Sequence, residues 1–421
     1  MRIAIVGGGI SGSFLFSSLR NLGIEIHLFD QGRGLGGRSS SRYENEFVFD
    51  HGAQFFRSDT DEMKKICNDW LTKGLISEWK GPHIGDGDFF GLPCNKDPIY
   101  VSAKQGMNNI PISIVQEAIT LDPNLQSFQG IRVENIQRSD SNDKWILLGK
   151  SGRAAFHDTP ENESKANPSM PLHNHDGYDI VVLTDISSSF GNWHRASAGV
   201  PTNFAKLVSE KAGSRIPLFS TMVCFKEPLN LGVSSITFDN NKSSCVWFAS
   251  RTNSKPGFQN NIESWTIIST PEYGVRKITE TPMQDLKTGV FIPQSSDYLL
   301  HIPAPEMCNE FLRLVGISQD REKVYINAQR WGSAMPAMRH LANDVNSPTR
   351  HTIAGVSYDS GLSSLAPTRL CGLDSRSFVG DDDIGLYQIG DMVSSYSPGY
   401  EGAVLSAAQI SNHLKALISR R

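Results

Sequence analysis

Apolar and polar positions change period several times along the chain, and each change marks an element. Arg2 to Val6 is a short apolar run of β type, followed directly by Gly7-Gly8-Gly9-Ile10-Ser11-Gly12. Phe14, Leu15, Ser18, Leu19 and Leu22 then recur at helical spacing, which predicts a helix from about Ser13 to Leu22 closed by Gly23. Ile24 to Phe29 predicts a second strand that ends in Asp30. A helix is expected from Thr60 to Leu75, with short strands around Trp79 and Phe89-Phe90 and another at Ile99 to Val101. Gly106-Met107-Asn108 opens a helix to about Ile119, and Ile131 to Val133 and Trp145 to Leu148 read as strands of a small sheet. Residues 150–177 are polar and proline-bearing and read as a disordered insertion, after which Tyr178 to Leu183 resumes as a buried strand. Beyond 187 come β-rich runs at Ser220–Phe225, Ser244–Ala249 and Ser264–Ser269, and a helix at about Ala304–Leu314. The chain closes with a strand from Leu386, a Gly390-Asp391 turn, a loop and a helix to about Ser419.

The 421 residues suffice for two or three domains. Lys and Arg total 40 against 44 Asp and Glu, a net charge of −4, which gives no support for a nucleic-acid or polybasic membrane role. No apolar stretch approaches the ~18 residues of a membrane span, and the strand-like start leaves no room for a signal peptide. The six cysteines are scattered without a CxxC, as for buried thiols in a reducing compartment. A soluble protein of the cytoplasm or another intracellular compartment is expected, with its oligomeric state open. Metal binding by His173, His175 and Asp176, with His157 nearby, is set aside because the spacing is not that of a fixed site. Gly149-Lys150-Ser151 fails as a P-loop, since Lys144 stands where a glycine is required. Neither an H-E-x-x-H nor a G-x-S-x-G sequence occurs.

The opening segment carries chemistry. A strand, G-x-G-x-x-G, a helix and a second strand ending in an acid form a βαβ unit for a dinucleotide. Gly7 allows the tight turn, Gly9 lets backbone approach a pyrophosphate, and Gly12 lets the helix pack closely on the sheet. The free amides and dipole at the helix start, Ile10 and Ser11 included, attract phosphates. Asp30, with Gln31 beside it, suits ribose hydroxyls and repels a 2′-phosphate, so NADP is disfavoured there. The motif alone does not choose between NAD and FAD. Gly32 to Arg42 adds Gly36-Gly37 between Arg33 and Arg38, suited to backbone passing a diphosphate with guanidinium charge beside it. Phe49-Asp50-His51-Gly52-Ala53-Gln54-Phe55-Phe56 then turns polar and aromatic. At the far end, Asp391 suits a ribityl chain, and the helix after Ser397-Pro398-Gly399-Tyr400-Glu401-Gly402-Ala403 could stabilise negative charge on a reduced flavin.

Taken together, these segments resemble the renalase-like branch of the FAD-dependent amine oxidase superfamily, the two-dinucleotide-binding-domain flavoproteins. The matching pieces are GGGISG, Asp30, GLGGRSSSR, DHGAQFF, YVSAKQGMNNI, the segment Val133 to Ile136, KPGF with Trp265, AQRWGSAMP and GDMVSSYSPGYEGAVLSAAQI, in that order to about residue 415. The resemblance implies an α/β fold of the glutathione-reductase/p-hydroxybenzoate-hydroxylase type, with a Rossmann-like FAD-binding domain and a mixed β-sheet substrate domain. The FAD-binding domain would be split over 1–60, 100–190 and 375–421, and the substrate domain over 61–99 and 191–374. It implies non-covalent FAD, consistent with the lack of a cysteine between Gly390 and Gly402. Gly7, Gly9 and Gly12 would lie at the diphosphate with Ile10 and Ser11, and Asp30 and Gln31 at the ribose. Gly37 and Arg38 would lie near the pyrophosphate or flavin, Val133 at the adenine, and Gly390 and Asp391 at the ribityl-pyrophosphate end. Gln54 and Phe55 would lie beside the flavin, and Tyr400, Glu401 and Gly402, with Ala403 next to them, would line the flavin or the start of the helix behind it. Three features depart from the family: Asp30 replaces a usual Glu, Leu183-Thr184-Asp185-Ile186 replaces an apolar-Pro-Ala turn, and Ser394 to Tyr400 matches loosely.

The catalytic residues stay unknown at this level. Gln54, Phe55, Trp331, Tyr396 and Tyr400 are candidates for the flavin face, and Trp247 and Trp265 for the pocket wall. Three functions are expected in order. The first is an FAD-dependent oxidase or dehydrogenase that takes a hydride from a small organic donor to flavin N5 and passes electrons to O₂ or another acceptor. The resemblance points to isomeric reduced nicotinamide nucleotides as the donor. The second is amine or amino-acid oxidation with Tyr396 and Tyr400 as an aromatic cage. The third is a non-catalytic flavin-binding scaffold.

Overall fold

Ile3 and Ile5 of the first strand point to one side and Ala4 to the other, and all three are fully buried. Such a strand must be covered on both faces, as in a doubly wound sheet. The computed structural model describes residues 1–151, 170–172, 177–186, 198–212, 215–258, 262–282, 292, 294–336, 338–339, 351–353, 356–358, 369–370 and 376–420. Most of 150–177, with His157, His173, His175 and Asp176, lies outside them.

In chain order the elements that matter are β1 (Arg2–Val6), α1 (Ile10–Ser18), β2 (Glu25–Asp30), β3 (Ser41–Glu44), β4 (Phe47–Asp50), α2 (Asp61–Thr72), β5 (His83–Gly85), α3 (Asn109–Leu121), β6 (Leu125–Gln129), β7 (Ile131–Arg138) and β8 (Trp145–Ser151). They continue with β9 (Ile180–Leu183), α4 (Thr202–Ala212), β10 (Arg215–Phe225), β11 (Ser235–Thr237), β12 (Val246–Arg251), β13 (Ser264–Ser269), α5 (Pro303–Leu314), β14 (Lys323–Pro336), β15 (Val379–Asp381), β16 (Leu386–Gln388) and α6 (Tyr400–Ile418).

One six-stranded sheet has the order β15-β16-β9-β1-β2-β6, parallel apart from the antiparallel edge strand β15. Strands from the start, middle and end of the chain therefore build one sheet. On one face Ile3, Ile5, Leu28, Ile180 and Val182 pack against α1, α3 and α6 through Leu15, Phe16, Val115, Ala407, Ile410 and Leu414. On the other, Ala4, Phe29, Val181 and Leu183 meet the β7–β8 ribbon and α4 through Ile136, Trp145, Leu147, Phe204 and Val208. The second six-stranded sheet has the order β14-β10-β13-β12-β11-β5 and is antiparallel except between β11 and β5. Its back is covered by α5 through Met307, Phe311 and Leu312. Its front carries Leu218, Phe248 and Ile268, in one apolar cluster with Phe55, Trp70, Ile110, Tyr400 and Val404. Among the described residues, no helix is long and apolar enough to cross a membrane.

Several elements differ from expectation for local reasons. The first helix ends at Ser18, four residues early, because Asn21 turns left-handed at φ 64° and its amide is held by Asp122 Oδ2 at 2.6 Å. Gly23 follows at φ 69°, the conformation its closing role demands. Phe89-Phe90 is a turn, not a strand: Phe89 and Leu92 exchange backbone bonds at 3.1 Å, and Phe89 stacks on Phe248 at 4.2 Å. The aromatic pair serves packing rather than a ladder. The strands β6 and β14 were not expected. β6 (LQSFQ) is a polar edge strand, and β14 alternates half-buried positions with only a few buried ones.

Gly12 tests how tightly this sheet is covered. A Cβ there would stand 2.0 Å from the Gly7 carbonyl oxygen, which is backbone and cannot rotate away. Gly12→Ala is expected to lower the unfolding free energy by about 1–3 kcal/mol or more. A shifted denaturant midpoint would show it, and an unchanged midpoint would mean that α1 can retreat from the turn at no cost.

Candidate functional site

A single cavity of about 1170 Å³ opens where the two sheets meet, and it draws walls from both. Part of its wall is the turn between β1 and α1. Gly7 takes φ 107°, and a Cβ on it would lie 2.0 Å from Thr184 Oγ1, so no other residue fits the turn. Gly9 precedes α1 with no side-chain cap, which leaves the amides of the first turn without a protein side chain. A Cβ on Gly9 would meet only Gly36 O and Gly37 Cα, both at 3.8 Å, so there is room above it. Gly36 N donates to Gly8 O at 3.0 Å and brings the second glycine loop alongside. The result is a backbone-lined cradle with free donors and a helix dipole behind it. The Thr184-Asp185 departure is part of it: Thr184 Oγ1 donates to Val6 O at 3.0 Å, and Asp185 stands on the wall.

Asp30 sits at the end of β2, buried, with Oδ2 accepting from Gly8 N and Oδ1 from Gly32 N, both at 2.6 Å. Burial pushes its carboxyl up from the usual range, and these two amides pull it back. Gln31 and Val133 lie on the same part of the wall. Arg38 forms a two-toothed ion pair with Asp391, one arm at 2.9 Å, and also donates to Ala334 O at 3.2 Å. Burial works against the guanidinium charge, and Asp391 and then Asp185 outweigh it. Asp391 Oδ2 also accepts from Gly399 N at 3.0 Å, just ahead of α6. That helix, like α1, starts at a glycine without a side-chain cap.

Another part of the wall is aromatic and apolar, with Phe55, Phe89, Leu218, Ile268, Trp331 and Met335. Three polar groups behind it are tightly held. Asp50 and Lys255 form an ion pair at 3.0 Å with 2% and 1% side-chain exposure, so neither charge meets water. Asp50 also accepts from Ser41 Oγ at 2.8 Å and Met107 N at 2.7 Å. Burial pushes the Lys255 ammonium down, and Asp50 pushes it back up. Gln54 has no free amide hydrogen bond to offer. Its Nε2 donates to Asp50 O and Gly52 O, while its Oε1 accepts from Ser250 Oγ at 2.7 Å and Lys255 Nζ at 3.3 Å. His51 lies on the wall, stacked on Trp331 with ring centroids 5.3 Å apart and planes 14° apart. Burial, and then the Arg42 charge, holds its imidazole pKa down to about 3, against the smaller pull of Asp50.

The cavity brings together Gly7, Gly9, Ile10, Ser11, Asp30, Gln31, Gly37, Arg38, Gln54, Phe55, Val133, Asp391, Glu401 and Ala403, and also Trp331, Tyr396 and Tyr400. Gly12, Gly390 and Gly402 stand behind the wall rather than on it; the Gly390 amide donates to Ser406 Oγ, and a Cβ on Gly402 would lie 2.4 Å from Ser397 O. The Glu401 carboxylate is spent on the amides of Asp59 and Thr60, at 3.0 and 2.8 Å, ahead of α2. Tyr400 stacks on Phe56 at 4.3 Å, whereas Tyr396 accepts from Gln409 at 3.3 Å. Trp247 and Trp265 are core: they bond Asp88 O and Glu263 Oε1 and have no exposed surface. Sequence reasoning had no role for Lys255 or His51. Each sat inside a motif, but its partner lies 205 or 280 residues away.

Two measurements test these charges. Lys255→Met should cost about 3–5 kcal/mol of stability by leaving Asp50 charged and alone, and adding Asp50→Asn should recover part of it. Equal stability of the single and double variants would mean the pair is not coupled. For His51 the unfolded imidazole takes its proton near pH 6.5, and the folded one only near pH 3. The unfolded state therefore binds more protons between these values, and stability falls as pH drops through that window. His51→Phe should flatten that acid limb, read as Tm against pH.

Residues 5–70 match the family described as NAD(P)-binding Rossmann-like domain. Among solved structures the chain is similar to reduced UDP-galactopyranose mutase, with a TM-score of 0.58 at 12% identity over 99% of this chain and 96% of that one. It is similar to putrescine oxidase with a TM-score of 0.57 at 12% identity, covering 99% of both chains. It is also similar to cyclohexylamine oxidase from Brevibacterium oxydans IH-35A, with a TM-score of 0.55 at 12% identity over 98% and 99%. At this identity the likeness speaks to the fold. The chain is an α/β protein whose Rossmann-like dinucleotide-binding domain, assembled from distant segments, is joined to a mixed-sheet domain as in these oxidases and this mutase.

Proposed function

We propose that this protein binds FAD non-covalently and is an oxidoreductase of the FAD-dependent amine oxidase superfamily, taking a hydride from a small organic donor. The observation that carries the reading is the continuity of the cavity from the glycine cradle to the aromatic wall. Its volume of about 1170 Å³ exceeds the roughly 300–1,000 Å³ of ordinary small-ligand sites and leaves room for a dinucleotide and a donor together. The residues present fit the cofactor: the open space above Gly9 and the uncapped first turn of α1 suit a diphosphate. Asp30 keeps unused lone pairs for ribose hydroxyls, and the Arg38–Asp391 pair offers both a donor and an acceptor on the cavity wall. Among the described residues no cysteine stands on the wall, which supports non-covalent binding.

Bound FAD supplies hydride acceptance and reoxidation by O₂ or another acceptor. The chain's own part is to bind, orient and exclude water. Phe55, Phe89, Leu218, Ile268 and Trp331 make one part of the wall apolar, and the buried Asp50–Lys255–Gln54 network fixes the segment from which Phe55 projects. The resemblance to the renalase-like branch favours isomeric reduced nicotinamide nucleotides as donors. Amine oxidation through a tyrosine cage finds less support, because Tyr400 stacks on Phe56 rather than facing Tyr396.

The purified protein is expected to show a flavin absorbance band and to release FAD on heating. Anaerobic mixing with reduced nicotinamide isomers should bleach that band. A colourless protein that takes up no added FAD would end this reading, and a flavin that no donor reduces would favour a scaffold. Arg38→Ala should weaken FAD retention about ten- to a hundredfold, the loss of one charge-assisted contact, and Gly9→Val should weaken it by filling the space above the cradle. Full flavin content in either variant would refute the role given to that residue.

A further inference from the structure

We infer that His51 is the hydrogen-bonding contact for an uncharged polar group of the substrate, an amide or carbonyl rather than an ammonium. The inference rests on the reading of this cavity as the site of cofactor and donor.

His51 is 8% exposed and stands on the cavity wall. Its position is over-determined. The Trp331 indole N–H and the Ser220 hydroxyl both donate to the His51 carbonyl at 2.7 Å, and the imidazole lies nearly parallel to the indole. Its ring nitrogens are not used by the fold. Nδ1 is buried without a partner and closed off from the cavity, whereas Nε2, which nothing among the described residues bonds, is the ring nitrogen that a ligand atom can reach. Buried polar side chains almost always find a partner, because leaving one unpaired forfeits its hydration. A rigidly held imidazole left unpaired on the wall of a large cavity is therefore waiting for a ligand atom.

The surroundings decide which atom. The Asp50 carboxylate, one residue away, is already matched by Lys255 at 3.0 Å. The Arg42 guanidinium donates to the neutral Gln329 at 3.1 Å, so it supplies positive charge with no carboxylate bonded to it. The local surplus is positive, and after burial it is the second influence that keeps the imidazole neutral. A protonated amine placed here would meet that surplus and lose its water shell against Leu218, Ala334 and Met335. An amide meets no such penalty. Its carbonyl accepts from an imidazole N–H and its NH₂ donates to an imidazole lone pair, so it suits either tautomer.

The test uses two planar probes of similar size, benzamide and benzylamine, titrated calorimetrically into the holoprotein at pH 7 and compared by flavin absorbance. Benzamide should bind the wild type more tightly than benzylamine. His51→Phe, which keeps the flat ring over Trp331, should weaken benzamide about tenfold and leave benzylamine unchanged, and His51→Gln should restore much of the loss. Flavin content should be the same in all three proteins. Tighter binding of benzylamine, no heat with benzamide, or an unchanged benzamide affinity in His51→Phe would overturn the inference. Loss of flavin in His51→Phe alone would overturn it too, by giving His51 to the cofactor. Should the wild type carry no flavin, the dinucleotide reading fails on its own, while calorimetry still compares the two probes and decides about His51.

Discussion

The ion pair between Arg38 and Asp391 ties together residues 353 positions apart. Arg38 belongs to the glycine loop that follows β2, and Asp391 to the turn between β16 and α6. The sheet that both flank cannot close until the last strands return to β9, so the two halves of the cradle come from opposite ends of the chain. The Asp391 side chain is 1% exposed. A charge so placed is tolerable only when paired, and breaking a buried pair costs far more than the pair contributes over an apolar substitute. Folding of the split domain and assembly of the site are then one event, since the pair that satisfies Asp391 also positions Arg38 on the cavity wall.

A second pair repeats the arrangement one layer further in. Asp50 on β4 and Lys255 beyond β12 join the dinucleotide side to the antiparallel sheet, and Gln54 is clamped between them. Lys255 also stands 5.3 Å from the centre of the Trp79 ring, which adds a cation–π contact. The segment from Asp50 to Phe56 is thereby rigid although it is not a regular element. The Asp50 carboxylate and the Gln54 amide belong to the network, while His51, Phe55 and Phe56 line the cavity. Orientation of a reacting group depends on such fixed walls more than on the fold that carries them.

Much of the frame was legible because it is local. The spacing of Phe14, Leu15 and Leu19, the glycines of the turn and the acid at residue 30 act within one βαβ unit, where sequence distance and spatial distance agree. The last helix was legible for the same reason. What escaped notice is non-local. The edge strand β6 has no apolar run of its own and forms because Leu125 and Phe128 dock on β2 beside Ile26 and Phe29. β14 takes its form from β10, with which it shares a long antiparallel register from Arg215 to Phe225. The segment Ser394 to Tyr400 shows the limit most clearly. Its tyrosines invited an aromatic cage, yet Tyr400 stacks on Phe56, a partner from the other end of the chain.

The same fold carries oxidases and a mutase, so the backbone does not select the chemistry. What differs between a site for cations and a site for neutral groups is the balance of charge left over after the internal pairs are made. Here Asp391 is spent on Arg38, Asp50 on Lys255, and Glu401 on two backbone amides. These three carboxylates thus each help to hold the protein together, while Asp30, Asp59, Asp88, Glu134 and Asp185 also line the cavity. The helix starts at Gly9 and Gly399 add positive ends with no side chain capping them. Which charges on this wall are matched within the protein and which are left for a ligand is a property of the pairing pattern, not of the Rossmann-like fold that carries it.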